Sequence, residues 1–218
     1  MRLLRALGVA CLALCPMLAG CNIIGPLGFL LGPRQIQKAE CELTKERLAI
    51  LVDTARPAED SPVFAQALHN KLVQIFREKE INSQVVPWEE VVRLRQREPD
   101  FGRWSIQRAG RALKAREVLY VRVDRLQLLE SVGSPVMTPH VWLRVKLIAA
   151  DELSSLARRW PPQEERRGRE IDCGRQTREA TDTVAVDSEA AKLGKDVAQF
   201  IAMPFYDVDL EEKVPRER

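Results

Sequence analysis

The chain has 218 residues, 34 basic and 31 acidic side chains, and a formal net charge of +3 at pH 7. This length suits one ordinary domain, and the near balance of charge argues against a nucleic-acid-binding domain, which is strongly basic on at least one face. The basic clusters at 93–97 and 164–170 are interleaved with or flanked by acidic residues. We interpret them as solvated faces, with contact to anionic lipid as the alternative.

The first 20 residues have the features of a secretory signal peptide. Arg2 and Arg5 precede a stretch, 6–20, that contains no charged residue and ends in small side chains. A transmembrane helix needs about 20 predominantly apolar residues, and Pro16 interrupts this shorter run. We therefore predict that residues 1–20 are removed on export.

The segment "LAGC", at residues 18–21, resembles the bacterial lipobox. The resemblance implies cleavage before Cys21, attachment of a diacylglycerol to its thiol and acylation of the new amino terminus. Several acyl chains hold a protein on a membrane stably, whereas a single chain holds it only marginally. The alternative is a leader that is cut elsewhere beside an incidental cysteine.

The resemblance also bears on location. Asn22 stands where an aspartate would, by resemblance to enterobacterial sorting, mark retention at the inner membrane. We therefore expect a bacterial envelope protein on the periplasmic face, at the outer membrane rather than the inner one. Residues 21–46 are predicted to be the lipidated cysteine and a tether, since glycine and proline interrupt the apolar stretch 22–33.

Cys41 and Cys173 are the cysteines left for the domain after export and lipidation. In an oxidising compartment they could form one disulfide, and free thiols are the alternative. Neither belongs to a CxxC pair, and His69 and His140 are far apart in sequence, so no metal site is predicted. We place His69 just off the apolar stripe of its helix, as an exposed or half-buried residue.

Residues 47–209 are predicted to form the domain. "RLAILVD" (47–53) is typical of a buried strand. A helix is predicted to follow from the cap Ser61 and Pro62, with one apolar stripe. "NSQVVP" (82–87) is predicted to be a second strand, parallel to the first. The stripe consists of Phe64, Ala67, Leu68, Leu72, Ile75 and Phe76.

Two helices broken at 99–102 are predicted next, and their Trp88 and Trp104 are expected to pack rather than to stack on a ligand. Strands follow at 117–130 and 140–151, the second with alternating apolar and polar residues. "LARRWPP" (156–162) is predicted to form the return strand of a hairpin with the second of these strands. We expect an exposed loop at 163–178 and a short edge strand at 181–186. The last helix is expected to begin at Asp187 or Ser188 and to bury Leu193, Val197, Phe200 and Ile201, before a frayed tail at 210–218.

The predicted fold class is α/β: a single domain with a mixed sheet of about four to six strands, in the order β-α-β-α-α-β-β-β-α. With the lipobox, the segments "LAILVD", "SPVFAQALHNKLVQIF", "VLYVRVDRL", "VWLRVKLIAAD" and "ARRWPP" resemble bacterial lipoproteins with the α/β domain of the TolB amino terminus and of the curli secretion lipoprotein CsgG. The resemblance implies an accessory role in envelope assembly or transport. The chain has no room for the membrane-inserting strands of the curli pore.

Motifs for catalysis are absent from the sequence: there is no Gly-rich phosphate loop, GxSxG, HExxH or EF-hand pattern. We therefore expect a non-enzymatic protein without a cofactor, which binds an envelope protein or itself through a patch at Trp142 or Trp160 or through an open sheet edge. The alternative is a small-ligand-binding domain or a hydrolase that uses Asp53, at the carboxyl end of the first strand. Asp124 is expected to form a cross-strand ion pair.

Overall fold

The structure, a computed structural model, describes residues 36–131, 133–151, 157–162, 165, 167–179 and 182–209. The predicted signal peptide, the lipobox with Cys21, Asn22 and the tail at 210–218 lie outside these residues. The chain divides into two compact units, residues 1–37 with 209–218, and residues 38–208. The sheet, its helices and the candidate site all belong to the second unit.

Within its described residues, the second unit is an α/β domain with a six-stranded mixed sheet and four α-helices. The helices are α1 (Pro62–Glu78), α2 (Trp88–Arg97), α3 (Ile106–Ala112) and α4 (Thr183–Ala202). The described strands are β1 (Ile36–Gln37), β2 (Leu48–Thr54), β3 (Glu117–Leu129), β4 (Val136–Ala149), β5 (Arg158–Trp160), β6 (Arg169–Gly174), β7 (Arg178–Glu179) and β8 (Val208–Asp209). Strands β2 to β7 form the six-stranded sheet.

Strand β4 is the centre of the sheet. On one side it pairs antiparallel with β3, which pairs parallel with β2. On its other side β4 pairs antiparallel with β7, β6 and β5, each along a different part of its length. The three short strands together continue the sheet beyond β4.

Helices cover the two faces of the sheet unequally. Helices α1 and α4 pack on one face, where their apolar residues form the main core with the inward residues of β2, β3 and β4. Helices α2 and α3 pack on the other face, over β2 and the beginning of β3. Alternation along β4 therefore buries Val141, Leu143, Val145 and Leu147 and leaves Trp142, Arg144 and Lys146 half-buried.

The helix predicted to begin at Ser61 and Pro62 is confirmed as α1, and the two helices predicted on either side of a break at 99–102 are confirmed as α2 and α3. Ser61 caps α1, because its hydroxyl accepts a hydrogen bond from the Phe64 amide at 3.2 Å. The predicted strand at 82–87 contributes only a bridge between Val85 and Leu48. Pro87 cannot donate to a ladder, and α2 begins at the next residue, so the pairing stops there.

Two predictions about the second half of the domain are wrong. The expected loop at 163–178 contains β6, whose Arg169, Ile171 and Cys173 alternate with exposed residues as in a half-buried strand. Residues 183–186 of the expected edge strand at 181–186 instead form the first turn of α4, and residue 181 lies outside the described residues. Asp182 caps this helix by accepting a hydrogen bond from the Ala185 amide at 2.7 Å, so the cap is neither Asp187 nor Ser188.

Phe200 was expected on the buried face of the last helix, but it is 48% exposed. The buried stripe runs through Leu193, Val197 and Ile201 at four-residue spacing, and Phe200 falls beside it. Residues 38–46, predicted as part of the tether, also pack on the domain. Leu43 is buried in the main core, and the indole of Trp160 donates to Glu40 at 3.1 Å.

Candidate functional site

The candidate site is the part of the second sheet face that α2 and α3 leave uncovered, which we call the open face. Its strands are β3, β4 and β6, and their register sets Arg125 and Asp172 on either side of Trp142, and Arg122 and Glu170 on either side of Arg144. Side chains directly opposite one another on a sheet lie about 5 Å apart at Cβ, so these groups are in contact range. The open face comprises Arg122, Asp124, Arg125, His140, Trp142, Arg144, Lys146, Glu170 and Asp172.

An aromatic stack occupies one half of the open face. The rings of His140 and Trp142 are nearly parallel, at 9°, with their centroids 4.0 Å apart. The Arg125 guanidinium lies 5.1 Å from the centroid of the Trp142 ring, as in a cation–π contact. Asp172 on β6 forms a hydrogen bond with His140 Nε2. The stack therefore presents a half-buried indole held by groups from three strands.

Ion pairs occupy the other half. Asp124 receives two hydrogen bonds from the Arg144 guanidinium, with 2.6 Å between Nε and Oδ2, and lies 3.5 Å from Arg122. The hydrogen bond to Asp124 is the largest cause of the raised pKa of Arg144. The predicted cross-strand ion pair is thus confirmed, and the Asp124 carboxylate forms ion pairs with both Arg144 and Arg122.

Beside the open face lies the edge of β6, which among the described strands pairs with β4 alone. The Arg175 amide donates to the Pro139 carbonyl at 2.9 Å, which fixes the alternation of the antiparallel ladder. By that alternation, the amide and carbonyl groups of Ile171 and Cys173 point to β4, and those of Glu170 and Asp172 point away from it. The outer edge of β6 therefore carries backbone groups flanked by two acidic side chains.

Asp53 lies at the end of β2, as predicted, and is engaged by other residues of the domain. Arg95 Nη2 donates to its carboxylate and, at 2.7 Å, to the Val52 carbonyl. Burial first, and the negative charge of Asp53 second, raise the pKa of the neighbouring Tyr120 to about 12. The Arg95 guanidinium also lies over the Phe101 ring at 5.3 Å. Asp53 thus forms an ion pair with Arg95, which links β2 to α2.

The acids that follow Asp53 in sequence are also engaged locally. Asp60 accepts a hydrogen bond from the Thr54 hydroxyl at 2.8 Å, and Glu59 accepts one from the Leu126 amide at 2.9 Å. Both acids line an open surface cavity of about 470 Å³ beside Arg125. This geometry matches the role of acidic residues in turns, where they bond backbone and side-chain groups nearby. It lends no support to the alternative of a catalytic carboxylate.

Of the four tryptophans, Trp160 is buried and the other three are half-buried. Trp160 was predicted as one centre of a surface patch, but it is 2% exposed, because it packs against Phe205 in the main core. Trp88 packs against His69, and Trp104 lies against Phe101 with the Arg108 guanidinium 4.0 Å from its ring centroid. Trp142 is therefore the tryptophan that the domain presents on the open face.

His69 was predicted to be exposed or half-buried, but it is 1% exposed. Its Nε2 lies 3.1 Å from the Val86 carbonyl, and its ring packs on Trp88. Nδ1 has no hydrogen-bond partner within the described residues. Burial, the largest cause, lowers the pKa of His69, because the protonated ring would lose its hydration.

The structure contains Cys41 and Cys173 as free, half-buried thiols. Burial raises the pKa of both, and their charged neighbours differ: Arg159 lies near Cys41, whereas Asp196 and Arg175 lie near Cys173. The disulfide stays a prediction. The described part of the chain contains no group of three or more His, Cys, Asp or Glu residues arranged to hold a metal ion. Nor does it contain a helix with the length and apolarity required to cross a membrane.

Comparisons with known proteins find similar solved structures but assign no family to the chain. No family model matches the chain, and no curated protein matches it. A Xanthomonas campestris protein of the DUF330 family is 14% identical, with 78% of this chain and 90% of that chain covered and a TM-score of 0.43. A PelC dodecamer from Paraburkholderia phytofirmans is 16% identical, covers 80% and 99%, and has a TM-score of 0.39.

Lipoproteins are also among the neighbours. One from Neisseria meningitidis is 10% identical, with 71% of this chain and 99% of that chain covered and a TM-score of 0.40. At such identities and TM-scores these neighbours assign neither a family nor an activity to the chain. The resemblance to the TolB amino-terminal domain and to CsgG stays a prediction.

Proposed function

We propose that the protein is an exported, lipid-anchored, non-enzymatic component of the bacterial envelope that binds a protein partner through β6 and the open face. The partner is another envelope protein in an assembly or transport complex, or a second copy of the chain. The anchor is the lipid on Cys21, at the periplasmic face of the outer membrane. The sequence supports this part of the proposal through "LAGC" after an uncharged leader.

The observation that carries the binding role is the outer edge of β6. An edge strand offers backbone donors and acceptors to an added strand, and here the outward groups are those of Glu170 and Asp172. Both side chains are exposed and acidic. They favour an extended partner segment with basic side chains and oppose a direct pairing of two β6 edges, which would bring acids together.

The anchor is tested with the native gene and a Cys21→Ser variant in a host that has a lipoprotein pathway. We expect the amino-terminal peptide of the native protein to carry a diacylglyceryl group on Cys21 and the protein to fractionate with membranes. The variant should lose both. An unmodified Cys21 in the native protein, or a variant that stays on the membrane, would reject the anchor.

The role of the outer edge of β6 is tested in membranes from the same host with a Glu170→Pro variant. Proline at this position removes an outward amide and leaves the hydrogen bonds between β6 and β4 intact. Glu170→Gln is the matched control, since it removes the charge and keeps the amide. Chemical crosslinking should give the same complex for the native protein and Glu170→Gln, and the complex should be lost with Glu170→Pro. Equal yields in all three proteins would reject β6 as the contact, and the mass of the complex distinguishes self-association from another partner.

A further inference from the structure

A basic surface lies on the outward side of α2 and α3. Residues 88–114, which include both helices, contain seven basic and four acidic side chains. The rest of the predicted mature chain, 21–87 and 115–218, has more acidic than basic side chains. The excess of positive charge is therefore concentrated in this one segment of the domain.

The helical spacing turns these charges away from the sheet. Val91 is buried under α2, and Arg93, two residues later, lies about 200° further round the helix, on its outward side. Arg111 stands in the same relation to the buried Ala109 of α3. Because both helices pack on one face of the sheet, their outward sides form one surface, which we call the basic face. Its exposed cations are Arg93, Arg97, Arg108, Arg111 and Lys114.

The contacts of these cations leave their positive charge in place. Arg93 and Arg111 each donate to a backbone carbonyl, at 3.3 and 2.9 Å, which leaves most N–H groups of each guanidinium available. Arg108 lies over the Trp104 ring, 4.0 Å from its centroid. Within the described residues, the Lys114 ammonium has no hydrogen bond and no ion pair. None of these four side chains is neutralised by a carboxylate.

Few carboxylates oppose the cations. Of the acids in the first turn of α2, Glu90 binds Arg47, and Glu89 is exposed on the outward side of the helix. Glu98, at the end of α2, lies 3.6 Å from Arg97 in an exposed pair, which contributes little. The five cations of the basic face therefore outnumber the carboxylates beside them.

The arrangement of the cations indicates what they bind. They are spread over two helices instead of surrounding one point, so they match an array of anionic groups better than a single small anion. Arg47 belongs to the segment that leads into the domain from the predicted anchor. Its Nε donates to the Leu113 carbonyl, at the end of α3, at 3.0 Å. The basic face therefore adjoins the segment through which the chain enters the domain.

We propose that the basic face binds the surface of a membrane that contains anionic phospholipids. Each lysine or arginine near such a surface strengthens binding, because it attracts the negatively charged headgroups. For the cluster 93–97, this is the alternative to a solvated face. The choice of a membrane rests on the proposed envelope location, but the binding itself requires neither the lipid on Cys21 nor a partner at β6. Its failure would therefore leave the anchor and the β6 contact standing.

Vesicle binding tests the proposal on the full chain with Cys21→Ser, so that an acyl chain cannot hold the protein to lipid. Partition coefficients are measured by cosedimentation with vesicles of phosphatidylcholine alone or of phosphatidylcholine with phosphatidylglycerol. Any binding by the leader is common to all the proteins compared. Arg93→Gln, Arg111→Gln and Lys114→Gln are combined in one basic-face variant, which removes three positive charges.

The matched control combines Lys71→Gln, Arg77→Gln and Lys195→Gln, which removes the same charge from α1 and α4 on the other face of the sheet. We expect phosphatidylglycerol to strengthen binding of the Cys21→Ser protein. The basic-face variant should bind these vesicles about 100-fold more weakly, at about fivefold for each cation removed. The control should bind almost as tightly as the unchanged protein, because charges more than about 10 Å from the membrane are screened at 0.1 M salt.

Equal binding of the Cys21→Ser protein to the two kinds of vesicle would overturn the proposal, as would equal losses in the basic-face variant and the control. Circular dichroism checks that each variant is folded. If the basic-face variant does not fold, Arg93→Gln alone replaces it, because Arg93 is exposed and its side chain bonds to a backbone carbonyl. The expected loss is then about fivefold, and no loss would overturn the proposal.

Discussion

A single buried histidine shows how a residue's setting follows from contacts distant in sequence. His69 is buried on the apolar side of α1 because later residues provide contacts for its ring. The Val86 carbonyl, 17 residues later, forms a hydrogen bond with Nε2, and Trp88 packs against the ring. The pattern of α1 alone contains neither partner, so the sequence could not predict this burial. By contrast, the cross-strand ion pair of Asp124 was predictable, because the sequence places this carboxylate within a strand between Arg122 and Arg125.

The burial of His69 predicts a dependence of stability on pH. The pKa of His69 is lowered from 6.5 in the folded protein, so the unfolded chain binds a proton near pH 6.5 while the folded one does not. The free energy of unfolding should therefore fall as the pH drops below about 6.5. His69→Gln, which keeps a donor for the Val86 carbonyl without titrating, should show a smaller decrease.

Urea unfolding at pH 7.5 and 5.5 measures this difference. The interval lies above the ordinary pKa of glutamate, 4.5, so titration of the ion-paired Glu189, whose pKa is lowered, contributes little. Equal decreases in the native protein and in His69→Gln would contradict the prediction.

At the level of elements, the close crossing of α1 and α4 organises the covered face of the sheet. Gly194 lies at this crossing: a Cβ there would stand 2.6 Å from the Phe64 carbonyl oxygen and 3.1 Å from the Leu68 amide nitrogen. Both are backbone atoms of a helix, which cannot move aside as a flexible side chain can. Absence of a side chain at residue 194 therefore sets the distance between the two helices.

We expect Gly194→Ala to destabilise the domain by about 1 to 3 kcal/mol, because overpacking outweighs the better helix propensity of alanine. The control is Gly102→Ala, since a Cβ there meets nothing within 4 Å. Thermal unfolding should show a lower midpoint for Gly194→Ala and an almost unchanged one for Gly102→Ala. A Gly194→Ala protein as stable as the native one would show that the helices separate freely.

Some of the helices and strands could be predicted from the sequence, and others could not. Helix α1 has a strong apolar stripe with a cap and a proline, and β4 has strict alternation, so both were predicted. Strand β6 was not, because its apolar residues are only Ile171 and Cys173 among charges, and pairing with β4 supplies the rest of its stability. The grouping of His140, Trp142 and Asp172 on the open face was not predicted for the same reason, because Asp172 reaches it through the pairing of β6 with β4.

At the level of the whole domain, Glu117 connects three distant parts of the chain. Its carboxylate is 1% exposed and accepts hydrogen bonds from the Thr44 amide at 2.9 Å and the Thr44 hydroxyl at 2.7 Å. The Arg159 guanidinium on β5 donates to its other oxygen. The segment before β2, the start of β3 and the strand β5 are thus joined at one buried charge.

We expect Glu117→Gln to lower the free energy of unfolding by about 1 to 3 kcal/mol, because the buried amide nitrogen of glutamine cannot accept the hydrogen bonds that one carboxylate oxygen receives. Glu42→Gln is the matched control, since it makes the same change at an exposed position and should cost less than about 0.5 kcal/mol. Chemical denaturation of the three proteins measures both values. Equal losses in the two variants would show that the buried carboxylate has no special role.

The parallel pairing of β2 with β3 also bears on how the chain emerges from the ribosome. Residues 55–116 separate the two strands, and β2 is buried in the finished sheet from Leu48 to Val52. At a synthesis rate of about 5 to 20 residues per second, β2 waits roughly 3 to 12 s before its partner exists. We therefore expect the apolar segment "LAILV" to need shielding in the newly made chain until β3 has been synthesised.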